Sequence, residues 1–341
     1  MLSAPPLARY RRALDQYLRS LLSAREPPLL YGMVRYHLGW EDAAGKPQEA
    51  GGKALRPALC LLTCEAAGGD WRQALPAAAG VELVHNFSLI HDDIQDRDRE
   101  RHHRPTVWSI WGEAQAINAG DALLALARLS VLRLAEEGLP PEAVVEAARV
   151  LDKRTLEMVE GQTLDIGFEE SLDVDVPAYI EMIQKKSGAL FDCALHLGAL
   201  VAGADTALAE QLGRIGRALG TAFQVRDDML GVWGDESKTG KPLSADLRRR
   251  KKSLPVVYAL QEATAGMRDK LHRMYRKPGL SGEEVARVLG HLDELGAKDY
   301  CTRLAAERKE AALAELGRLD LRPDCANELR ETAEFLLERD F

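Results

Sequence analysis

Apolar residues recur at three- and four-residue steps along most of this chain. Leu7, Tyr10, Leu14, Leu18 and Leu21 set an amphipathic first helix, which Pro27-Pro28 ends. The same period predicts helices over 57–67, 75–93, 115–137, 142–161, 179–202, 208–230, 254–265, 283–295, 300–316 and 325–337. Breakers separate them: Gly68-Gly69, Pro140-Pro141, Pro177, Gly203, Pro278-Gly279 and Pro323. Ser281 followed three residues on by Glu284 is a capping-box signature. No segment sustains the period-two alternation of a strand, and no Pro/Gly/Ser-rich linker divides the chain. The pattern implies one all-α domain over 1–341, with a motif-bearing core at about 51–260 and C-terminal helices over 261–341.

Composition narrows this further. Forty-six per cent of the 341 residues are hydrophobic, enough to bury a large core, and the abundance of Ala, Leu, Glu and Arg favours helix. A formal net charge of −8 argues against general nucleic-acid binding. Cys60, Cys64, Cys193, Cys301 and Cys325 are odd in number and scattered, which predicts reduced, packed thiols and a cytoplasmic protein. Charges at Arg9, Arg11, Arg12 and Asp15 interrupt any signal-peptide core. The longest markedly apolar uncharged run, 193–204, is too short to span a bilayer, so no transmembrane segment is expected.

Two apolar stretches end in paired aspartates. In S-L-I-H-D-D-I-Q-D, Asp92 and Asp96 lie one helical turn apart with Asp93 beside them, and Asp227-Asp228 close L-G-T-A-F-Q-V-R-D-D. Carboxylates crowded on one helix repel, and a divalent cation removes that cost. Mg²⁺ takes one or two carboxylates plus substrate phosphates, and Arg101 and Arg104 nearby suit an anion held partly by guanidinium. Two such helices opposed across a cavity would offer two acidic rims to the same ions.

Other motifs are weaker alone. G-G-K-A-L-R-P lets backbone approach a ligand beside Lys53 and Arg56, although a loop ending in surface charges reads the same. G-D-E-S-K-T-G-K-P superficially resembles a P-loop but is one residue too long, lacks a preceding strand, and has Pro242 where Ser or Thr belongs. Lys241, Lys251 and Lys252 remain either phosphate contacts or solvated surface. Lys185-Lys186-Ser187-Gly188 interrupts an apolar helix and suggests a local break facing a ligand, and Gln224 lies one turn before Asp227-Asp228. His85 and His91 flank the apolar stretch before the first Asp pair, where ordinary core or supporting histidines are the alternative to site residues. No nucleophile elbow is present.

Taken in order, G-G-K-A-L-R-P, V-H-N-F-S-L-I-H-D-D-I-Q-D, G-Q-T-L-D, K-K-S-G-A-L-F, F-Q-V-R-D-D-M-L-G, G-K-P and D-L-R-R-R-K-K-S-L-P resemble the trans-isoprenyl diphosphate synthase (polyprenyl synthetase) family over about two thirds of the chain. The resemblance implies an all-α bundle around a central cavity, a homodimer, and Mg²⁺ (three ions with substrate bound) held by Asp92, Asp93, Asp96, Asp227 and Asp228. It implies an allylic diphosphate site of Arg101, Lys186, Ser187, Gln224 and Lys241. Lys53, Arg56, His85 and His102 would form the isopentenyl diphosphate site. Phe87 and Ser88, just ahead of the first motif, would set product length. Phe87 lies five residues before Asp92, ~7.5 Å along the helix, and resembles the geranylgeranyl-type arrangement.

The expected substrates are isopentenyl diphosphate and an allylic diphosphate (dimethylallyl, geranyl or farnesyl). The expected product is geranylgeranyl diphosphate, with farnesyl diphosphate next. A terpene cyclase on the same scaffold and a non-catalytic partner subunit are the alternatives. Two departures stand out: His102 takes the place of a family arginine, and Gly231 the place of the third aspartate of the second motif. A histidine charged by a neighbouring diphosphate would replace arginine in part, without its bidentate fork. Asp235 is the sequence candidate to compensate for Gly231.

Overall fold

A computed structural model describes residues 7–23, 25–48, 52, 54–171, 173–234, 244–277 and 279–337. Its elements in order are α1 (Ala8–Leu22), α2 (Pro28–His37), α3 (Leu55–Ala66), α4 (Leu75–Gln95), β1 (Glu100–Arg101), β2 (Arg104–Pro105), α5 (Val107–Trp111), α6 (Glu113–Leu132), α7 (Pro141–Glu170), α8 (Val176–Ile183), α9 (Ala189–Val201) and α10 (Thr206–Trp233). After these come α11 (Ala245–Arg248), α12 (Leu254–Glu262), α13 (Ala265–Tyr275), α14 (Gly282–Glu294), α15 (Ala297–Leu316) and α16 (Pro323–Leu337). The all-α expectation holds. The exception is the hairpin β1–β2, whose two-residue strands pair Glu100 with Pro105 and Arg101 with Arg104.

The helices gather into two compact units. The first comprises Met1–Thr155, Cys193–Gly213 and Asp320–Leu329; the second Leu156–Asp192, Arg214–Leu319 and Arg330–Phe341. In the first unit α4 packs against α1, α3 and α6. Ala77, Ala78, Ala79, Val81, Leu83 and Val84 bury almost every face of α4, as expected of a helix sheathed by others. Arg322 N–H donates to the Ala66 carbonyl at 2.8 Å, closing the C-terminal end of α3.

In the second unit Val176, Tyr179, Met182 and Ile183 of α8 pack with Val225 and Met229 of α10 and with Leu254 and Val257 of α12. A second core joins Val232, Leu247, Val256 and Leu260 to Leu271 and Tyr275 of α13 and to Val285, Val288 and Leu292 of α14. The Ser281/Glu284 capping box forms as expected: Ser281 Oγ accepts from Glu284 N–H at 3.3 Å, and Glu284 Oε2 from Ser281 N–H at 3.0 Å.

Several elements depart from the sequence expectation. Pro27-Pro28 ends no element outright; Pro28 opens α2 at its first turn, where its missing N–H costs nothing. α2, α5, α11 and α13 add helices where none was expected. α7 runs on to Glu170, past the expected end at Gly161.

Candidate active site

The first aspartate cluster closes α4 in the first unit. Asp92 and Asp93 occupy its last turn and Asp96 its C-cap, with no basic residue in that turn. A helix C-terminus carries partial negative charge, so carboxylates there are disfavoured twice, by the dipole and by one another. Asp93 turns inward: it is 2% exposed, and Arg101 Nε donates to its Oδ1 at 2.8 Å. Burial still raises its carboxyl pKa, more than the Arg101 bond and charge lower it. Asp92 is half-buried and Asp96 exposed.

Arg101 stands on β1, and the loop behind it is the two-residue turn His102-His103, both with positive φ (51° and 60°). A two-residue hairpin turn of this kind matches the twist of its strands, and histidine tolerates the left-handed region better than most residues. His102 is therefore at the exposed tip of the hairpin. Trp108 Nε1 and Thr106 Oγ1 hold the hairpin base by donating to the Asp98 carbonyl at 2.8 and 2.9 Å. Arg104, paired with Arg101 as an anion-holding group in the sequence reading, instead donates to the Tyr36 and Glu41 carbonyls at 3.1 Å each and lies over the Tyr36 ring.

On the same unit, Arg56 of α3 reaches His85 of α4, with Nη1 3.2 Å from His85 Nε2. Burial, then the charges of Arg56 and Arg101, hold the His85 pKa well below its usual value, so the ring is neutral and its Nε2 accepts. Phe87 is buried and meets His91 edge to face at 4.8 Å, while Ser88 Oγ donates to the His85 carbonyl at 2.8 Å.

The second cluster lies toward the C-terminal end of α10, again with no basic residue in the last turn. Asp227 is exposed, whereas Asp228 is 1% exposed and fully engaged. It accepts from Tyr179 Oη at 2.7 Å, Gln224 Nε2 at 3.0 Å and Leu254 N–H at 3.2 Å. Burial pushes its carboxyl pKa up to about 6, against the pull of Lys251 and these donors. Ser187 Oγ donates in turn to Gln224 Oε1 at 2.6 Å, so Ser187, Gln224 and Asp228 form one chain.

Ser187 sits in the expected interruption. Residues Gln184–Gly188 form a π-turn between α8 and α9, a wider coil that places Lys185 and Lys186 off the α-helical register. α7 presses against it at Gly161, where an added Cβ would lie 2.3 Å from Lys186 N. Only glycine allows that approach. Lys186 Nζ pairs with Asp165 of G-Q-T-L-D at 2.6 Å. Lys252 is committed elsewhere: its Nζ donates to the Phe168, Glu169 and Ser171 carbonyls at 2.7, 2.6 and 2.5 Å, capping α7. Lys251 is the lysine that the acidic groups surround. Desolvation opposes its charge, yet Asp228, Asp246, Asp165 and Asp227 together raise its pKa.

The structure thus brings Ser187, Gln224 and Asp228 together in one unit, and Asp93 with Arg101 and Arg56 with His85 in the other. Lys53, Asp235 and Lys241 lie outside the described residues. Sequence reasoning missed Asp165 and Tyr179 as site residues; the G-Q-T-L-D string was the one available signal for Asp165.

Among the described residues, no three His, Cys, Asp or Glu side chains form a ready-made metal cage. Magnesium does not require one, since it keeps waters and takes phosphate oxygens beside one or two carboxylates. Two clusters of hard oxygen donors at the negative ends of apolar helices fit that ion.

The polyprenyl synthetase family model matches residues 40–292. The (2E,6E)-farnesyl diphosphate synthase of Mycobacterium bovis is 38% identical over 322 residues, covering 93% of this chain and 88% of its own. The geranylgeranyl diphosphate synthase of Mycobacterium tuberculosis is 43% identical over 302 residues, 87% of this chain and 84% of its own. Among solved structures, a polyprenyl synthetase from Streptomyces coelicolor A3(2) superposes with a TM-score of 0.90 at 39% identity, covering 97% and 99% of the two chains. The all-α architecture is accordingly the isoprenoid synthase fold. With the match spanning most of its length and both aspartate motifs inside it, the chain belongs to the polyprenyl synthetase family.

Proposed function

We propose that this chain is a magnesium-dependent trans-prenyltransferase that condenses isopentenyl diphosphate with an allylic diphosphate, chiefly to geranylgeranyl diphosphate. The observation that carries this reading is the pair of aspartate clusters, each ending an apolar helix and each containing one desolvated carboxylate. The farnesyl and geranylgeranyl synthase names of the relatives support the substrate class and the short product.

Asp92, Asp93 and Asp96, and Asp227 and Asp228, would hold the magnesium of the reaction. Bound magnesium supplies Lewis-acid stabilisation of the charge that develops on the leaving diphosphate. Arg101, Lys186 and Lys241 add cationic contacts to the same anion. Lys186 must exchange Asp165 for a phosphate oxygen as the allylic substrate binds. The Ser187–Gln224–Asp228 chain fixes Asp228 while this happens. Lys53, Arg56 and neutral His85 take the isopentenyl diphosphate, with His102 reaching from the hairpin tip. Once the allylic C–O bond breaks, the isopentenyl double bond attacks the cation, and the departing diphosphate takes the proton lost. Apolar walls exclude the water that would otherwise capture the cation.

Phe87, with Ser88, would bound the growing chain. Phe87→Ala is expected to shift the main product at least one isoprene unit longer; an unchanged product spectrum removes that role. A homodimer is the proposed assembly. Ile117, Leu129 and Leu132 of α6 and Val145 of α7 are large apolar side chains exposed on the first unit, a surface suited to a second copy. No described helix is long and apolar enough to cross a membrane, and all five cysteines are free and buried, which supports a cytoplasmic site of action.

Incubating the protein with labelled isopentenyl diphosphate, an allylic primer and Mg²⁺ tests the reading. Chain elongation is expected. Cyclic hydrocarbon from the allylic substrate alone would indicate a cyclase instead, and inertness a non-catalytic subunit.

A further inference from the structure

Arg217 of α10 joins carboxylates from two other helices of the second unit. Its Nε and Nη2 each lie 3.0 Å from Asp192 Oδ2 of α9, and Nη2 donates to Glu157 Oε2 of α7 at 2.5 Å. Asp192 is 1% exposed, and Arg217 and Glu157 are half-buried. Burial opposes the Arg217 charge, yet the Glu157 bond and the Asp192 charge leave its pKa raised. Charges taken out of water this way are costly, and apolar side chains often hold helices together as well or better. What the bridge adds is direction: a planar fork between two carboxylates fixes the helices that carry them.

The two carboxylates stand one helical turn from the two places where the π-turn is gripped. Asp192 follows Gly188, the last residue of that turn, by four residues; Glu157 precedes Gly161, whose backbone meets Lys186, by four. α10 presses on the turn as well. A Cβ on Gly188 would lie 3.1 Å from Arg217 Cγ and 3.2 Å from the Arg217 carbonyl, and a Cβ on Gly220 would lie 2.9 Å from Gly188 Cα. The stem of Arg217 thus packs on Gly188 while its head ties α9 to α7. Lys186 stands between these grips, with its Nζ on Asp165, two turns beyond Glu157 along α7.

We infer that Arg217 is a positioning residue for the allylic diphosphate: by bridging Asp192 and Glu157 it sets how α7, α9 and α10 close on the π-turn, and so where the Lys186 ammonium is delivered. The inference rests on the proposed allylic site. A lysine is a point charge on a flexible stem, so the place at which its backbone is held decides what its charge reaches. Arg217 itself touches neither substrate nor metal in this role.

The test compares two ligands. Calorimetry on the full-length protein measures affinity for an unreactive allylic thiodiphosphate with Mg²⁺ and, separately, for isopentenyl diphosphate. Arg217→Met keeps the stem and removes the fork. It should weaken the allylic analogue about 10-fold, within the range of changes that act on a site through packed neighbours, and leave isopentenyl diphosphate binding unchanged. Combined with Lys186→Ala, it should bind the analogue no more weakly than Lys186→Ala alone, because it acts through that lysine. Val288→Ala, a cavity in the α14 core, should lower stability with both affinities kept. If Arg217→Met loses its cooperative thermal transition, Glu157→Gln frees one arm, leaves Asp192 paired, and should show the same split with a smaller loss. Wild-type analogue affinity in Arg217→Met (or in Glu157→Gln where that variant stands in), equal loss of both ligands, losses that add in the double variant, or the same split in Val288→Ala overturns the inference. Lys186→Ala separates the two levels: if it binds the analogue as wild type does, the allylic site itself is wrong, whereas its loss beside an unaffected Arg217→Met rejects Arg217 alone.

Discussion

Asp93 and Asp228 are both withdrawn from water, and burial is the leading cause of the raised pKa in each. They differ in what answers their charge. Asp93 receives a guanidinium directly, Arg101 at 2.8 Å. The direct donors to Asp228 are neutral (a phenol, a side-chain amide and a backbone N–H), and Lys251 acts on it without a direct bond to match. The first cluster thus settles its inner carboxylate within the protein and leaves Asp92 and Asp96 outward. The second holds its inner carboxylate with neutral donors. A buried carboxylate fixed by dipoles gains more from an arriving metal than one already paired.

Turnover should break the comparison most sharply. Asp92→Ala and Asp227→Ala are each expected to lower kcat by about 10³-fold, ~4 kcal/mol of transition-state stabilisation. Asp228→Asn should cost clearly more than Asp93→Asn in steady-state assays at saturating Mg²⁺; equal losses would mean that the two inner aspartates are equivalent. Folding stability comes next. Arg101→Ala leaves Asp93 buried without its counter-charge and should cost about 3 kcal/mol in denaturant unfolding. Tyr179→Phe removes one of three neutral donors from Asp228 and should cost only about 1–2 kcal/mol.

Acid sharpens the contrast by acting on the first unit. His37 is half-buried with its Nε2 out of water, and desolvation, with Arg101, Arg104 and His102 nearby and Asn86 as its opposing hydrogen-bond partner, lowers its pKa to about 3. The unfolded chain, with an ordinary histidine near 6.5, binds this proton more readily, so stability is full above that pH and falls as pH drops toward 3. Between pH 6.5 and 5 the loss should approach about 2 kcal/mol, and His37→Gln should flatten that slope. The smallest expected effect is a gain. His103→Gly relieves a positive φ in the hairpin turn and should stabilise by about 0.5–1 kcal/mol, read as a raised melting temperature.

Much of this was legible because helical period and aspartate spacing are local properties. Asp92, Asp93, Asp227 and Asp228 could be placed at helix ends from apolar runs alone, and the polar Lys185–Gly188 string did mark a perturbed turn. The misses share a cause. Pro28 was read as a stop because a proline pair looks alike at the end of one helix and the start of the next. Arg104 looked like a ligand group because its carbonyl partners, Tyr36 and Glu41, lie more than sixty residues away. Tyr179 and Asp165 meet Asp228 and Lys186 only through packing of α7, α8 and α10. Nothing in the sequence at Gly231 shows that a Cβ there would meet Asp246, because that residue belongs to another helix.

The most direct measurement is a crystal structure with Mg²⁺ and an unreactive allylic thiodiphosphate bound. Magnesium ligated at Asp92 and magnesium ligated at Asp227 are the predicted result. A bound diphosphate with no metal at one of these aspartates would contradict the account.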